Sequence, residues 1–300
     1  MSLHMDNSVY SHTARFDEST RALTEDQMRR LAPSIFAVEA HASRSDRFRT
    51  IPTIEVLRAL QNEGFSPVGV RQSNSRDESK HDFTKHLIRL RRLDTGETHR
   101  VGDTVCEIIL KNANDGSSAY DLMAGLFRIR CLNSLVAQTA TLDSVKVRHS
   151  GDALTNVIEG TYRVLGETQK LLAAPQDWSQ IRVDRDAALA LADSARVVRF
   201  GDATGEVTSP ITADQLLTVR REGDTGADLW SIFNRVQENV IRGGLSARAP
   251  ATIENGRRVR GRRVTTREVT GIDQDVKLNK SLWILGERMA ELPSSRKLAA

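Results

Sequence analysis

The run Lys85-His86-Leu87-Ile88-Arg89-Leu90-Arg91 decides the fold class. His86, Ile88 and Leu90 alternate with Lys85, Leu87, Arg89 and Arg91, and a period of two residues belongs to a β-strand. Asp94-Thr95-Gly96 breaks the run. Further along, residues 105–111 repeat the pattern, with Cys106, Ile108 and Leu110 on one face. Asn114-Asp115-Gly116-Ser117-Ser118 is a turn signal. A third strand is predicted over 126–132, with Phe127, Ile129 and Cys131 together, and a fourth over 144–149, with Val145 and Val147 inward. Short connections make these an antiparallel meander, one face buried and the other open.

On either side of the strands the period is helical. Thr24 caps a short helix that carries Glu25 and Asp26 in its first turn and is interrupted by Pro33. Pro52-Thr53 opens a second helix, with Ile54, Leu57, Leu60 and Phe65 in its stripe and Gly64 at its end, and residues 72–80 follow as a loop. Leu154, Val157, Ile158, Tyr162, Leu165 and Leu172 mark a helix that Pro175 and Asp177 end. Others are predicted over 184–198, from Asp224 or Thr225 to Gly243-Gly244, and from Asp273 or Asp275 to Pro293. The class is therefore α+β. An antiparallel four-stranded sheet backed by helices occupies 23–150, and a mostly helical C-terminal part occupies 151–300. Residues 1–22 read as a mobile arm. Residues 245–268, rich in Arg and Gly, read as a flexible loop.

With 300 residues, 39% of them apolar and 27% charged, the chain has the composition of a globular protein. No apolar run approaches the roughly 18 residues of a membrane helix, and the first residues carry no secretion pattern. Two cysteines, Cys106 and Cys131, are too few for a disulfide framework or a zinc site. The expectation is a cytoplasmic bacterial protein with no membrane partner and no cofactor. Neither glycine-rich nucleotide loop is present. The net charge of +4 is only mildly basic, so the distribution of charge matters more than its sum.

Several strings are longer than local structure requires. They include Ile51-Pro52-Thr53 with Leu57 and Gly64-Phe65; Asn112 through Asp115-Gly116-Ser117-Ser118 to Tyr120; Gly125-Leu126-Phe127-Arg128 running to Cys131 and Asn133; and Arg148-His149-Ser150-Gly151. Near the C-terminus come the run from Asn234 to Gly244 and the run from Asp275 to Trp283. Over about 23–292 the chain resembles the phage and plasmid proteins of domain-of-unknown-function family 932. The resemblance implies a bacterial mobile-element origin and no activity. One departure is Ser134, where the resemblance leads one to expect glycine after Cys131-Leu132-Asn133.

No catalytic site is readable. Arg89 and Arg91, Arg128 and Arg130, and Lys146 and Arg148 fall on the alternate positions of three strands. If the apolar positions face inward, these six form a basic platform able to hold phosphates. Arg257, Arg258, Arg260, Arg262 and Arg263 add a basic loop, with Arg267 beyond it. The leading expectation is therefore a non-catalytic nucleic-acid-binding protein, DNA ahead of RNA, acting in recombination or single-strand annealing. The annealing version implies a ring-like homo-oligomer. Aromatic residues are 5% of the chain, which argues against base stacking as the main contact. Asn234, Gln237 and Glu238 share a helix face and are candidates for reading a ligand or for tying down the Arg-rich loop.

Two alternatives stand beside this. One is a metal-dependent nuclease or hydrolase using Asp103, Glu107 and Lys111, although the four-residue gap between the last two is not the spacing such sites use. The other is a protein-binding module acting on a host defence factor. His81, His86, His99 and His149 lack the spacing of a helical zinc motif, and His86 reads as a buried, hydrogen-bonded histidine.

Overall fold

The computed structural model describes residues 22–39, 41, 51–93, 104–128, 144–148, 152–254 and 257–292, without the side chains of 128, 167, 169, 170 and 254. Expectations for residues 1–21 and for His99, Asp103, Arg130, Cys131, Ser134 and His149 lie outside the described residues.

Local chemistry sets the helix starts. The Thr24 hydroxyl accepts from the Gln27 amide at 3.2 Å, and the Gln27 side chain accepts from the Thr24 amide at 2.8 Å. This reciprocal cap begins α1 (Glu25–Leu31). A 3-10 turn, Pro33–Phe36, and then α2 (Thr53–Asn62) follow. After α3 (Ala153–Ser179), Asp184 caps α4 (Arg185–Phe200), Thr212 caps the short α5 (Ala213–Leu216) and Asp228 caps α6 (Leu229–Arg242). The last helix is α7 (Ile272–Glu291).

The sheet has five strands rather than four. They are β1 (Phe65–Gln72), β2 (His86–Arg92), β3 (Thr104–Asn112), β4 (Tyr120–Arg128) and β5 (Val145–Val147), in spatial order β1-β2-β3-β4-β5. Pro67 and Gly69 hide β1 in the sequence. A proline is compatible with an edge strand, and here the register slips between Pro67 and Gly69. β4 begins at Tyr120 rather than at 126. Its Asp-Leu-Met-Ala-Gly start lacks the β-branched residues that advertise a strand.

The helices α2 and α3 cover one face of this sheet. Thr53 Oγ1 on α2 lies 3.0 Å from His86 Nε2 and accepts from Asn112 Nδ2 at 3.0 Å. Ser34 Oγ lies 2.9 Å from the other ring nitrogen of His86. His86 is thus the buried, hydrogen-bonded histidine expected. A Cβ on Gly160 of α3 would come within 2.8 Å of Leu122 and Val145, so the glycine permits the helix to lie close on β4 and β5.

One helical stripe is rotated from its expected position. On α3, Leu154, Tyr162 and Leu172 are exposed, while Val157, Thr161, Val164 and Leu171 are buried. Pro175 does not end this helix, which continues to Ser179. Proline costs an interior helix one hydrogen bond and a steric clash. The cost is offset one turn later, where Trp178 is buried in an aromatic cluster. Its ring stacks on Trp283 at 4.6 Å and meets Phe233 edge-on at 5.2 Å. On α7 the inward positions include Leu278, Asn279, Leu282, Trp283 and Gly286, and a Cβ at Gly286 would come within 2.5 Å of Trp178.

The described residues fall into two compact units. The first comprises those within 1–99, 107–123 and 144–163, and the second those within 100–106, 124–143 and 164–300. The division passes inside α3. Among the described residues, no helix is long and apolar enough to cross a membrane.

Candidate nucleic-acid interface

The expected basic platform on the sheet is closed at Arg89 and Arg91. In the β2–β3 register, Leu87, Arg89 and Arg91 share a face with Lys111 and Ile109 and, by continuation of the pairing, with Glu107. Arg89 and Arg91 are only 7% and 8% exposed, and Glu107 is 1% exposed. Arg89 Nε donates to one carboxylate oxygen of Glu107 at 2.5 Å, and the Arg91 guanidinium donates to the other. Lys111 pairs with Asp121 at 3.2 Å on the same face, and Ile109 and Met123 are buried as well. Both faces of the central strands are therefore buried. Alternation identifies residues that share a face but not whether that face meets water. Lys146 and Arg148 are exposed at the β5 edge. The Arg128 backbone ends β4, and its side chain lies outside the description.

The same geometry bears on the nuclease alternative. Both oxygens of Glu107 are engaged by guanidinium groups, which compete with any cation for them. Among the described residues, no group of three or more His, Cys, Asp or Glu side chains is placed to hold a metal.

The polar cluster on α6 is turned inward. Asn234 donates to the Trp230 carbonyl at 2.7 Å, and Gln237 donates to Asn279 at 2.8 Å. Glu238, 4% exposed, accepts two bonds from Arg221 at 2.9 and 3.1 Å and one from Arg242 at 3.2 Å. Asn239 accepts from Arg220, whose guanidinium also donates to the Gly243 carbonyl at 2.5 Å. Burial lowers the Arg220 pKa from its ordinary value. Its charge persists at neutral pH because arginine starts so high. Of the candidates for reading a ligand or tying down the Arg-rich loop, Asn234 and Gln237 are bonded within the helices, while Glu238, with Asn239 and Arg220, holds the C-terminal end of α6, where the Arg-rich segment begins.

That segment is ordered rather than a loop. β6 (Ser246–Arg248) pairs with β9 (Arg263–Thr265), and β7 (Thr252–Glu254) pairs with β8 (Arg257–Val259), both antiparallel. The Ala249 amide donates to the Arg262 carbonyl at 3.0 Å and links the two ladders into one long hairpin. A Cβ on Gly261 would run into the Ala249 carbonyl, so only glycine allows the strands to pass so closely there. At the base, Gln215 donates to the Ser246 carbonyl at 2.9 Å and Arg199 to the Arg267 carbonyl at 3.1 Å. The Gly244 amide donates to Thr266 at 2.8 Å.

The hairpin carries Arg248, Arg257, Arg258, Arg260, Arg262 and Arg263, all exposed. No ion pair joins any of them to another described side chain. Arg248 and Arg263 lie directly opposite each other, an arrangement that repels unless an anion sits between or beside them. Residues 245–268 hold seven arginines and two glutamates, a net +5 against +4 for the whole chain, so the remainder of the protein is net −1.

A model for "Domain of unknown function (DUF932)" matches residues 40–283, a span that includes the hairpin. The chain belongs to the DUF932 family. This DUF932 protein is 42% identical over 269 residues to the UPF0380 protein YafZ of Escherichia coli (strain K12), covering 90% of this chain and 92% of the relative. It is 41% identical, with the same coverage, to the UPF0380 protein YfjQ of that strain. No solved structure matches.

One sequence signal could have revealed the hairpin. Asn255-Gly256 lies between Thr252-Ile253-Glu254 and Arg257-Arg258-Val259, and Asn-Gly between short β-prone runs marks a two-residue hairpin connection. The density of arginine and the lack of apolar alternation concealed it. The base is equally specific. Gly243 has φ +65° and ψ −148°, a region essentially reserved for glycine, and a Cβ there would lie 2.6 Å from the Arg267 backbone. Gly243→Ala is expected to destabilise the hairpin base by about 1–3 kcal/mol. It should then speed tryptic cleavage at the hairpin arginines, and cleavage at the wild-type rate would refute the strain.

Proposed function

We propose that this DUF932 protein binds nucleic acid without catalysing a reaction, DNA rather than RNA, in the service of a phage, plasmid or prophage. The hairpin is the binding element. The observation that carries the reading is the concentration of exposed arginine on an ordered two-stranded ribbon in a chain that is otherwise close to neutral. Phosphate neutralisation supplies most of the affinity in such contacts. The preference for DNA rests on shape. A B-DNA major groove, about 12 Å wide, admits a two-stranded ribbon. The major groove of A-form RNA is too narrow and deep for one. The opposed Arg248 and Arg263 gain most where a phosphate relieves their repulsion.

Recombination remains the process this activity would serve. The annealing version keeps less support, because Arg89 and Arg91 are buried rather than presented on an open sheet. Binding to labelled duplex DNA, single-stranded DNA and duplex RNA across a salt series tests the reading. The expected result is duplex DNA bound most tightly, with log affinity falling linearly against log salt. No binding at low salt, or equal binding to all three, would overturn it.

A further inference from the structure

The ribbon carries an exposed apolar side chain that phosphate contact does not explain. Ile253 is 79% exposed, the highest value among the large hydrophobic residues described. It sits on β7 directly opposite Arg258, next to the residue that ends the strand. Its partner across the hairpin is Arg258, with Arg260 on the same face by continuation of the register, while Arg257 and Val259, the latter 40% exposed, belong to the Glu254 and Thr252 pairs and lie on the other face. A lone exposed isoleucine is common on protein surfaces. This one stands in the outer ladder of a hairpin directly opposite Arg258, and a partner that is negative outside and apolar within would satisfy both side chains. Duplex DNA has that combination, with phosphate rails outside and stacked bases between them.

We infer that Ile253 is a wedge that enters between two base pairs, so that the hairpin kinks the duplex it binds. The inference rests on the nucleic-acid reading above and goes beyond it, from holding DNA to deforming it. Apolar wedges of minor-groove proteins partly unstack a base step and bend the helix by about 20–90°, and here the side chain would enter the stack from the major groove that holds the ribbon. Pyrimidine–purine steps such as TA yield most readily, so the favoured substrate is a duplex with a flexible step. The arginines on both strands then follow the bent backbone. Burying the isoleucine gains about as much as unstacking costs, so its removal changes affinity by about tenfold or less while abolishing the deformation.

The experiment uses the full chain and a short duplex containing one TA step, with 2-aminopurine at that step and a donor–acceptor pair on the ends. Saturating wild-type protein is expected to raise the 2-aminopurine fluorescence and shorten the end-to-end distance. Ile253→Ser should bind within about tenfold of wild type and produce neither signal. Ile253→Phe should restore both, which separates a wedge from general damage to the hairpin. If wild type binds without either signal, or Ile253→Ser gives both at full strength, the wedge is wrong and DNA binding stands. If wild type does not bind at all, the wedge and the binding reading fall together.

Discussion

Glu107→Ala is expected to destabilise the protein by about 3–5 kcal/mol. The substitution removes the carboxylate that both Arg89 and Arg91 engage, leaving two guanidinium groups 7% and 8% exposed with their main anionic partner gone. Against a typical domain stability of about 5–15 kcal/mol, that is enough to depopulate the folded state under mild denaturant. Urea unfolding followed by far-ultraviolet circular dichroism measures it. Tryptophan fluorescence provides an internal comparison, because all three tryptophans, Trp178, Trp230 and Trp283, lie in the aromatic cluster of the second unit. Glu107→Gln keeps the shape and one acceptor oxygen and should fall between wild type and alanine. Replacing Arg89, Arg91 and Glu107 together by methionine should recover much of the loss, since well-packed apolar groups often match a buried ion cluster in stability. A wild-type urea midpoint for Glu107→Ala would mean the carboxylate does not hold the two arginines. It would also return Glu107 to the nuclease alternative, because loss of a metal-binding carboxylate typically relieves repulsion rather than unfolding a protein.

The starts of α1 and α4 were legible because they depend on neighbours in sequence, whereas α6, expected from Asp224 or Thr225, begins at Leu229 behind the Asp228 cap. Thr24 with Gln27 and Asp184 with the Ala187 amide are three residues apart, and no tertiary information is needed to pair them. The first strand was not legible, because Pro67 and Gly69 are breakers whose acceptance depends on an edge position that the chain reveals only once the sheet has formed. The buried charges failed for a related reason. Glu107 finds Arg89 and Arg91 across a strand pair, and that register is not written in any one segment. The rotated face of α3 and the mixed inward face of α7 have a third cause. Gly160, Thr161, Gly286 and Asn279 occupy inward positions, so size and close approach outrank hydrophobicity there. The Arg-rich segment stood out by composition, whereas its hairpin form lay in Asn255-Gly256, a signal that charge density hid.

Replacing Arg257, Arg258, Arg260, Arg262 and Arg263 together by glutamine is expected to abolish tight DNA binding while leaving the fold intact. Each phosphate contact removed should lower the log–log salt slope by about 0.9, so five contacts lower it by up to about 4.5. At moderate salt the affinity should fall by at least about a hundredfold. The fold should survive because all five side chains are exposed and none forms an ion pair with another described side chain. Glutamine also keeps the hydrogen-bonding character of the strands. Unchanged circular dichroism and tryptophan emission would establish that binding, not folding, was lost. The contrasting variant is Lys146→Gln with Arg148→Gln, the two exposed cations at the β5 edge. If that pair reduces the slope as much as the five arginines do, the sheet edge shares the interface and the original expectation of a basic sheet surface regains part of its force. If neither set changes the slope, phosphate contacts lie elsewhere in the chain and the hairpin loses its role. A large loss from the five and little from the two would assign the affinity to the ribbon, the one described segment whose charge exceeds that of the whole protein.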